Sequence, residues 1–346
     1  MIVVVGAGGV VGRRVCEELA NAGVPGRGVG REDRSFDGAR VVIDCAGPLR
    51  DTASPVLTAA LAAGAHYVDV GGEQAVLREL YERHDSTARR AGLVALPGAG
   101  VDCTLGDLAT AWAAAHLVGM PEDAQPVRTT PAPRLAEDRP LDEVCVSYVF
   151  DDLVLSAGSQ RALFGAVGTR ALAWRRDRWE PARAGEHRRV NAGRPFGERD
   201  AVAYAGGDAI TVPRHVAANS VTSFISTTRN PAASGALRLL ARALPLVPRT
   251  AAELLAPFAP PEADFARTQF AVVAQVRRGF AAAQIVVRGR DLYRTTAVIA
   301  AWCARQLAER SGGAVGMRAP AELFHPAPAL RAIAQLADLA IEPSFG

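Results

Sequence analysis

The chain opens MIVVVGAGGVVGRRV, an apolar run from Ile2 to Val5 that empties into a cluster of glycines and then at once into an apolar, arginine-flanked stretch. A continuous apolar run suits a strand buried on both faces, the environment of a parallel sheet. Gly6, Gly9 and Gly12 fall at GxxGxxG spacing with Gly8 as an additional glycine, while Val11 takes the sixth place of a strict GxGxxG. The backbone requirements of a dinucleotide turn are met all the same. Gly6 permits the tight turn out of the strand, Gly8 and Gly9 let backbone approach a pyrophosphate, and Gly12 lets the next helix pack close to the sheet. Apolar Val10, Val11, Val15 and Leu19 predict that helix over Val10 to Asn21, with its N-terminus aimed at the phosphates. Gly6, Gly8, Gly9, Val10, Val11 and Gly12 are therefore the expected pyrophosphate cradle.

The end of the second strand chooses the dinucleotide. In PGRGVGRED it carries Arg31 where NAD sites usually place an acidic residue on the ribose hydroxyl, and an arginine there can pair with a 2′-phosphate. Glu32 and Asp33 follow directly. The expected cofactor is NADP(H) rather than NAD. The next units, ARVVIDCAGP, ASPVLTAALAAGA and HYVDVGGE, read as strand, helix and strand. Ligands of open parallel sheets sit beyond the carboxyl ends of the strands, so Cys45, Ala46, Gly47 and Pro48 should line the cofactor, with Asp69 to Glu73, including Gly71, nearby.

Composition narrows the chemistry. All 39 basic residues are arginine. Without lysine, a Schiff-base mechanism, a P-loop lysine and the tyrosine-lysine pair of short-chain dehydrogenases are excluded. Five scattered cysteines, with no CxxC pair, indicate neither a zinc site nor a disulfide framework, so no metal is expected. A net charge of +3 and no basic run interleaved with aromatics argue against a nucleic-acid partner. The first residue leads straight into a strand with no secretory signal, and a cytoplasmic setting is expected. A length of 346 residues suits two domains.

From about residue 123 the pattern changes. A proline-rich crossover leads to VCVSYVF, ALAWRRDRWEPA, AITVPRHV, SVTSFIST, TQFAVVAQVRRG and AAQIVVRG, which read as strands of a mainly antiparallel sheet. The apolar, arginine-dotted stretch 235–259 is too broken by proline to span a bilayer. Core or homodimer packing is its plain reading; a lid or a membrane-surface contact is the sharper one. DLYRTTAVIAAWCARQLAER and PALRAIAQLADLAI read as helices.

GAGGVVGRRV, VVIDCAGP, AAGAHYVDVGGE and LPGAGVDCTLGDLAT stand in the order and spacing of the saccharopine dehydrogenase-like oxidoreductases, and the chain resembles that family, with weaker echoes in ITVPRHV and IVVRGRDLYRTTA. The resemblance implies a Rossmann-type doubly wound parallel sheet, residues 1–122 plus 290–346, with an inserted α+β domain, residues 123–289, for substrate and dimer contacts. It also implies hydride transfer from NADPH to a C=N bond of a small organic substrate. Leu49 stands where the family commonly has tyrosine after Gly-Pro, and Leu105-Gly106 where many members have Pro-Ser. These departures leave the substrate open.

Candidates for chemistry are few. Asp69 and Asp102 follow strands on the ligand side, where each can orient or protonate a substrate nitrogen or simply cap a glycine turn. Glu73 and Asp107 lie close by, Asp107 near a helix start. His215, in PRHV beside Arg214, is the histidine best placed as a general acid. Tyr148 and Tyr293 are possible proton donors. The alternatives to C=N reduction are C=C reduction of an enone, a non-catalytic NADP(H) sensor or scaffold, and a lipid-associated enzyme.

Overall fold

In the computed structural model, residues 1–121, 134–165, 170–183, 185–227 and 261–346 are described. Residues 122–133 of the crossover and the apolar 235–259 stretch lie outside them. The first unit runs β1 (Ile2–Val5), α1 (Val10–Asn21), β2 (Gly26–Val29), β3 (Val41–Asp44), α2 (Leu49–Ala62), β4 (His66–Asp69), α3 (Gln74–Arg90) and β5 (Val94–Leu96). A π-helical turn (Val101–Leu105) then runs into α4 (Gly106–Leu117). The second unit holds β6 (Glu143–Asp151), α5 (Ala157–Gly165), β7 (Leu172–Arg175), β8 (Arg178–Pro181), β9 (His187–Asn191), β10 (Glu198–Ala203), α6 (Asp208–Thr211), β11 (Ser220–Ser226), β12 (Gln269–Arg278) and β13 (Ala281–Arg290). The chain closes with α7 (Leu292–Glu309), β14 (Gly316–Met317), α8 (Pro320–Leu323), α9 (Pro326–Ala337) and β15 (Ala340–Phe345).

One sheet is six-stranded in the order β14-β5-β4-β3-β1-β2, and its pairings are all parallel. The change of direction between β1 and β3 places the topological switch point beside the glycine turn. Both faces are covered: β1 and β3 are buried at every residue, as their unbroken apolar runs require. The other sheet, nine-stranded, follows the order β15-β13-β12-β6-β11-β10-β9, with β7 and β8 attached through β11. It is mainly antiparallel, with one parallel pair, β6 and β11.

α4 joins the two units. Gly106 to Ala115 are buried without a break, and the helix packs on β12 and β13 as well as on α9. A helix apolar all round belongs inside, and GDLATAWAAAHL is such a sequence. α7 packs on α1 and touches β3 and β4, and β14 extends the parallel sheet. The final strand departs from the expected partition: β15 pairs with β13, so residues 340–345 belong to the second sheet.

AITVPRHV also differs from expectation. It is α6 followed by a 3-10 turn over Val212–Arg214, not a strand. Its β-branched residues suggest a strand, but Asp208 to Pro213 are all buried, leaving no exposed face to alternate with. Ile210 and Thr211 donate their N–H groups to Gly207 O, and Pro213 has no N–H for a ladder.

Candidate active site

The glycine turn is built as a close approach. Gly6 has φ 73°, and a Cβ there would lie 2.9 Å from the Ala46 backbone. At Gly12 a Cβ would come within 2.2 Å of Gly6 O, so α1 packs directly on the turn. Gly6 and Ala7 donate to Val29 O, and Gly9 donates to Gly6 O. Gly8 points a missing Cβ into open space with nothing within 4 Å. Gly9 caps α1 without any side-chain hydrogen bond, so the first N–H groups of the helix have no intrahelical partner. Exposed Gly8 and Gly9, half-buried Val10 and Val11, and an uncapped helix start fit a bound pyrophosphate.

Around the turn, Cys45 donates its N–H to Val5 O, and Thr52 Oγ1 donates to Ala46 O at 2.7 Å. Gly47 and Pro48 carry the chain into α2, whose first residue, Leu49, packs onto Gly71. Leu49 is thus a buried residue seated against the next strand end. At the end of β2, Arg31 is exposed, with Glu32 3.5 Å away. Arg34 donates to the carbonyls of Arg31 and Asp33, both at 2.7 Å, and stiffens this corner. Both guanidiniums reach the field of Asp44, whose carboxyl burial nevertheless lifts to about 6.

At the last residue of β4 and beyond the end of β5, two aspartates have opposite situations. Asp69 is buried, and its carboxylate accepts from Gly71 N, Gly98 N and Tyr67 Oη at 2.9, 3.0 and 3.0 Å. It ties two loops together, and burial raises its carboxyl to about 7. Asp102, in the π-helical turn, is half-buried, and among the described residues no other group donates to its carboxylate. Its Oδ2 lies where a Cβ of Gly72 would stand, at 2.2 Å, so Gly72 makes the room for it. Desolvation, with Glu73 adding like charge, brings its carboxyl to about 6 against a pull from its own N–H. Glu73 is also raised, chiefly by burial, while the Leu49 N–H and Arg50 pull it down. A π turn that re-aims a carboxylate is a common mark of a functional site.

The second sheet contributes residues that sequence reasoning missed. Asp208, fully buried at the start of α6, accepts from Tyr148 Oη and Ser223 Oγ, both at 3.0 Å. Burial lifts its carboxyl to about 8 despite those two hydrogen bonds, with Asp107 adding repulsion. Tyr148 is therefore a buried support with its hydroxyl committed to Asp208. The tyrosine that reaches an accessible surface is its neighbour Tyr204, half-buried, its ring edge-on to Tyr148 at 5.8 Å. Gln74, the first residue of α3, clamps the two units: Nε2 donates to Leu172 O and Gly206 O, and Oε1 accepts from Leu172 N.

His215 stands apart from this group. It is 1% exposed, and its Nε2 meets Asp107 Oδ1 at 2.8 Å while Asp107 Oδ2 accepts from Ala321 N. That pair locks the 3-10 turn and α8 to the buried face of α4. Arg214, expected to hold an anion, instead pairs with Glu322 at 2.8 Å and lies over Tyr81. Tyr293 donates to Ser159 Oγ and accepts from Ser156 N, so it too is committed. His66 accepts from Val94 N and is lowered to about 4 by burial, a satisfied core histidine.

The structure therefore brings together an open glycine turn and the strand-end residues Cys45 to Pro48. It adds one under-bonded carboxylate, Asp102, beside Glu73, with Tyr204 within electrostatic reach of Asp102. Such a site can hold a dinucleotide and stabilise or share a proton at one heteroatom. Among the described residues no cluster could hold a metal, and no helix is long and apolar enough to cross a membrane.

No protein-family model and no curated protein sequence matches the chain. Among solved structures, apo saccharopine dehydrogenase (L-Glu forming) from Saccharomyces cerevisiae superposes with TM-score 0.59 at 11% identity, over 100% of this chain and 99% of that chain. A multiply substituted meso-dapdh from Clostridium tetani E88 with DAP gives TM-score 0.46 at 14% identity over 94% of this chain and 96% of its own. An engineered D-amino acid dehydrogenase bound to NADP+ gives 0.42 at 13% identity over 95% and 94%. The first of these spans both units from end to end, and at such identity the likeness is one of architecture. The chain thus has the saccharopine dehydrogenase-like fold that its strand-end motifs resemble.

Proposed function

We propose that the chain is an NADPH-dependent oxidoreductase that reduces a C=N bond of a small organic substrate. The observation that carries this reading is Asp102: a half-buried carboxyl at about 6, without hydrogen-bond donors from other residues among those described, beyond the carboxyl end of the sheet whose switch point holds the glycine turn. Gly6 to Gly12 would hold the pyrophosphate, Arg31 the 2′-phosphate, and Cys45 to Pro48 with Gly71 the inner edge of the dinucleotide. When bound, NADPH supplies the hydride. Asp102 does the chain's part at the substrate. Ionised above its midpoint, it faces a protonated imine nitrogen and stabilises the iminium, the form that accepts hydride readily. Glu73 keeps the field negative, and Asp69 holds the Gly71 and Gly98 loops at the spacing that presents Asp102.

The resemblance of the strand-end motifs to the family and the shared fold support an oxidoreductase. A fluorescence titration with NADPH and NADH, followed in the same sample by cyclic imines and enones, tests the reading. NADPH-selective binding with oxidation by an imine is expected. Oxidation by enones alone would overturn the C=N assignment, and absence of NADPH binding would overturn the cofactor site.

A further inference from the structure

The loop Tyr204 to Ala209 is fixed to the rest of the molecule at several points. Tyr204 donates its N–H to Ser223 O, and Gly206 donates to Tyr204 O. Gly206 O accepts from Gln74, and Ala209 O accepts from Trp179 Nε1 at 2.9 Å. Asp208 is bonded to Tyr148 and Ser223. The same loop lies on the strand-end segment of the first unit: a Cβ at Gly207 would be 3.5 Å from Gly72 O and 3.4 Å from Cys103 Sγ. Gly72 is the residue that makes room for Asp102. Of the two polar side chains of this loop, the Asp208 carboxylate is spent on anchoring and the other is not. The Tyr204 hydroxyl has no protein partner among the described residues, although the ring is half-buried and its position is set by Gly206 and Tyr148.

We infer that Tyr204 is a substrate-contacting residue, contributed by the second unit, whose hydroxyl oxygen accepts a hydrogen bond from the protonated substrate nitrogen opposite Asp102. The inference rests on the C=N reading above. Burial and the charges of Asp208 and Asp102 hold the phenol well above its usual range, so it keeps its proton and serves as a neutral acceptor and ring face. The single N–H of a protonated cyclic imine is taken by the hydroxyl oxygen, and the Asp102 carboxylate opposite balances the charge of the cation. Gln74 is then a positioning residue, because it holds the loop that carries Tyr204 against the segment that carries Asp102.

The test compares the full-length wild type with Tyr204→Phe and Gln74→Ala. Turnover of methylpyrroline with NADPH is measured, together with binding of methylpyrrolidine to the NADP+ complex, followed by fluorine NMR of protein labelled with fluorotyrosine. The Tyr204 resonance is assigned by its loss in Tyr204→Phe. Expected is a rise of about tenfold or more in KM and in the methylpyrrolidine Kd for Tyr204→Phe, from loss of a hydrogen bond to a charged group. NADPH affinity should stay unchanged, and the Tyr204 resonance should shift on adding the amine. Gln74→Ala should raise KM while leaving the NADPH Kd alone. Wild-type turnover of the imine with an unaltered KM in Tyr204→Phe overturns this inference and leaves the C=N reading standing. A wild type that binds NADPH but reduces only enones overturns the reading, and this inference with it. Amine binding that leaves the Tyr204 resonance in place also overturns the contact.

Discussion

Gly8→Ala separates a glycine turn that holds a ligand from one that merely turns. In the protein alone a Cβ at Gly8 meets nothing within 4 Å, and the residue does not need positive φ. The folded state should accept alanine without strain, and the unfolded chain loses some freedom, worth about 0.4–1 kcal/mol in favour of folding. Thermal unfolding should therefore be unchanged or slightly raised. The space the methyl would fill is the space a phosphate needs to reach the unpaired N–H groups at the start of α1. Losing one charge-assisted hydrogen bond costs about 1.5–3 kcal/mol, so NADPH binding should weaken by about 10- to 150-fold.

Gly12→Ala is the contrasting perturbation. Its Cβ would stand 2.2 Å from Gly6 O and 2.9 Å from Ala7 Cα, both backbone atoms, so α1 must move away from the turn. Overpacking of this kind costs about 1–3 kcal/mol, against about 1 kcal/mol regained in helix propensity. Stability and binding should fall together, with a Tm lower by about 2–4 °C per kcal/mol lost. Differential scanning calorimetry and NADPH fluorescence titration on both variants read the two effects separately. Wild-type NADPH affinity in Gly8→Ala would refute the pyrophosphate seat. Equal destabilisation of the two variants would refute the claim that Gly8 faces open space.

Arg31→Ala should weaken NADPH binding by about 1.5–3 kcal/mol and spare NADH, as titration with both cofactors would show; equal losses would remove Arg31 from the 2′-phosphate. Asp102 should make stability depend on pH with a definite sign. Its folded carboxyl titrates at about 6, above its ordinary 3.8, so its contribution is full below about pH 4 and is lost as pH rises through 6. Asp102→Asn, which imitates the protonated group, should therefore be more stable than wild type at pH 8 by about 1–2 kcal/mol, the linked free energy discounted for partial exposure, and no more stable at pH 4. Denaturant melts at the two pH values check this, and turnover should fall in the same variant. His215→Ala should lower the unfolding temperature, since it leaves Asp107 Oδ1 buried without its partner while Ala321 N alone still donates to the carboxylate, and NADPH affinity, read by titration, should stay within about twofold of wild type.

Where a local pattern has a local cause, the chain could be read directly. β1 is an apolar run because both faces of a parallel sheet are covered, and α1 starts and stops at Val10 and Asn21 because the glycines and the 3.6-residue period determine it. The strand-end segments Cys45 to Pro48 and Asp69 to Glu73 follow from the geometry of parallel sheets, which places their ends on the ligand side whatever the residues are. The AITVPRHV segment was illegible for the converse reason: its helical form is imposed by burial against elements far away in sequence, which the β-branched residues do not record.

The second half of the site has the same origin. Tyr148 and Asp208 are 60 residues apart, and Gln74 and Gly206 are 132 apart. Neither pairing has a spacing, a period or a turn to announce it. The one available signal was the loop AYAGGD, a tyrosine and an aspartate around two glycines, where Gly206 lacks the Cβ that Tyr204 and Ser223 would strike and Gly207 lacks the one that Leu77 would. His215 shows the same cause in reverse: a strand end would leave it accessible, whereas on a buried turn its Nε2 is spent on Asp107. Sequence motifs locate the dinucleotide because the chain builds that cradle from neighbours. The substrate side is assembled from partners brought together by the sheet topology, and a polar residue there is distinguished by the hydrogen bonds it lacks. By that criterion Asp102 and Tyr204, whose side chains have no hydrogen bond to another residue among the described residues, separate from Asp69 and Tyr148, whose polar atoms hold the frame around them.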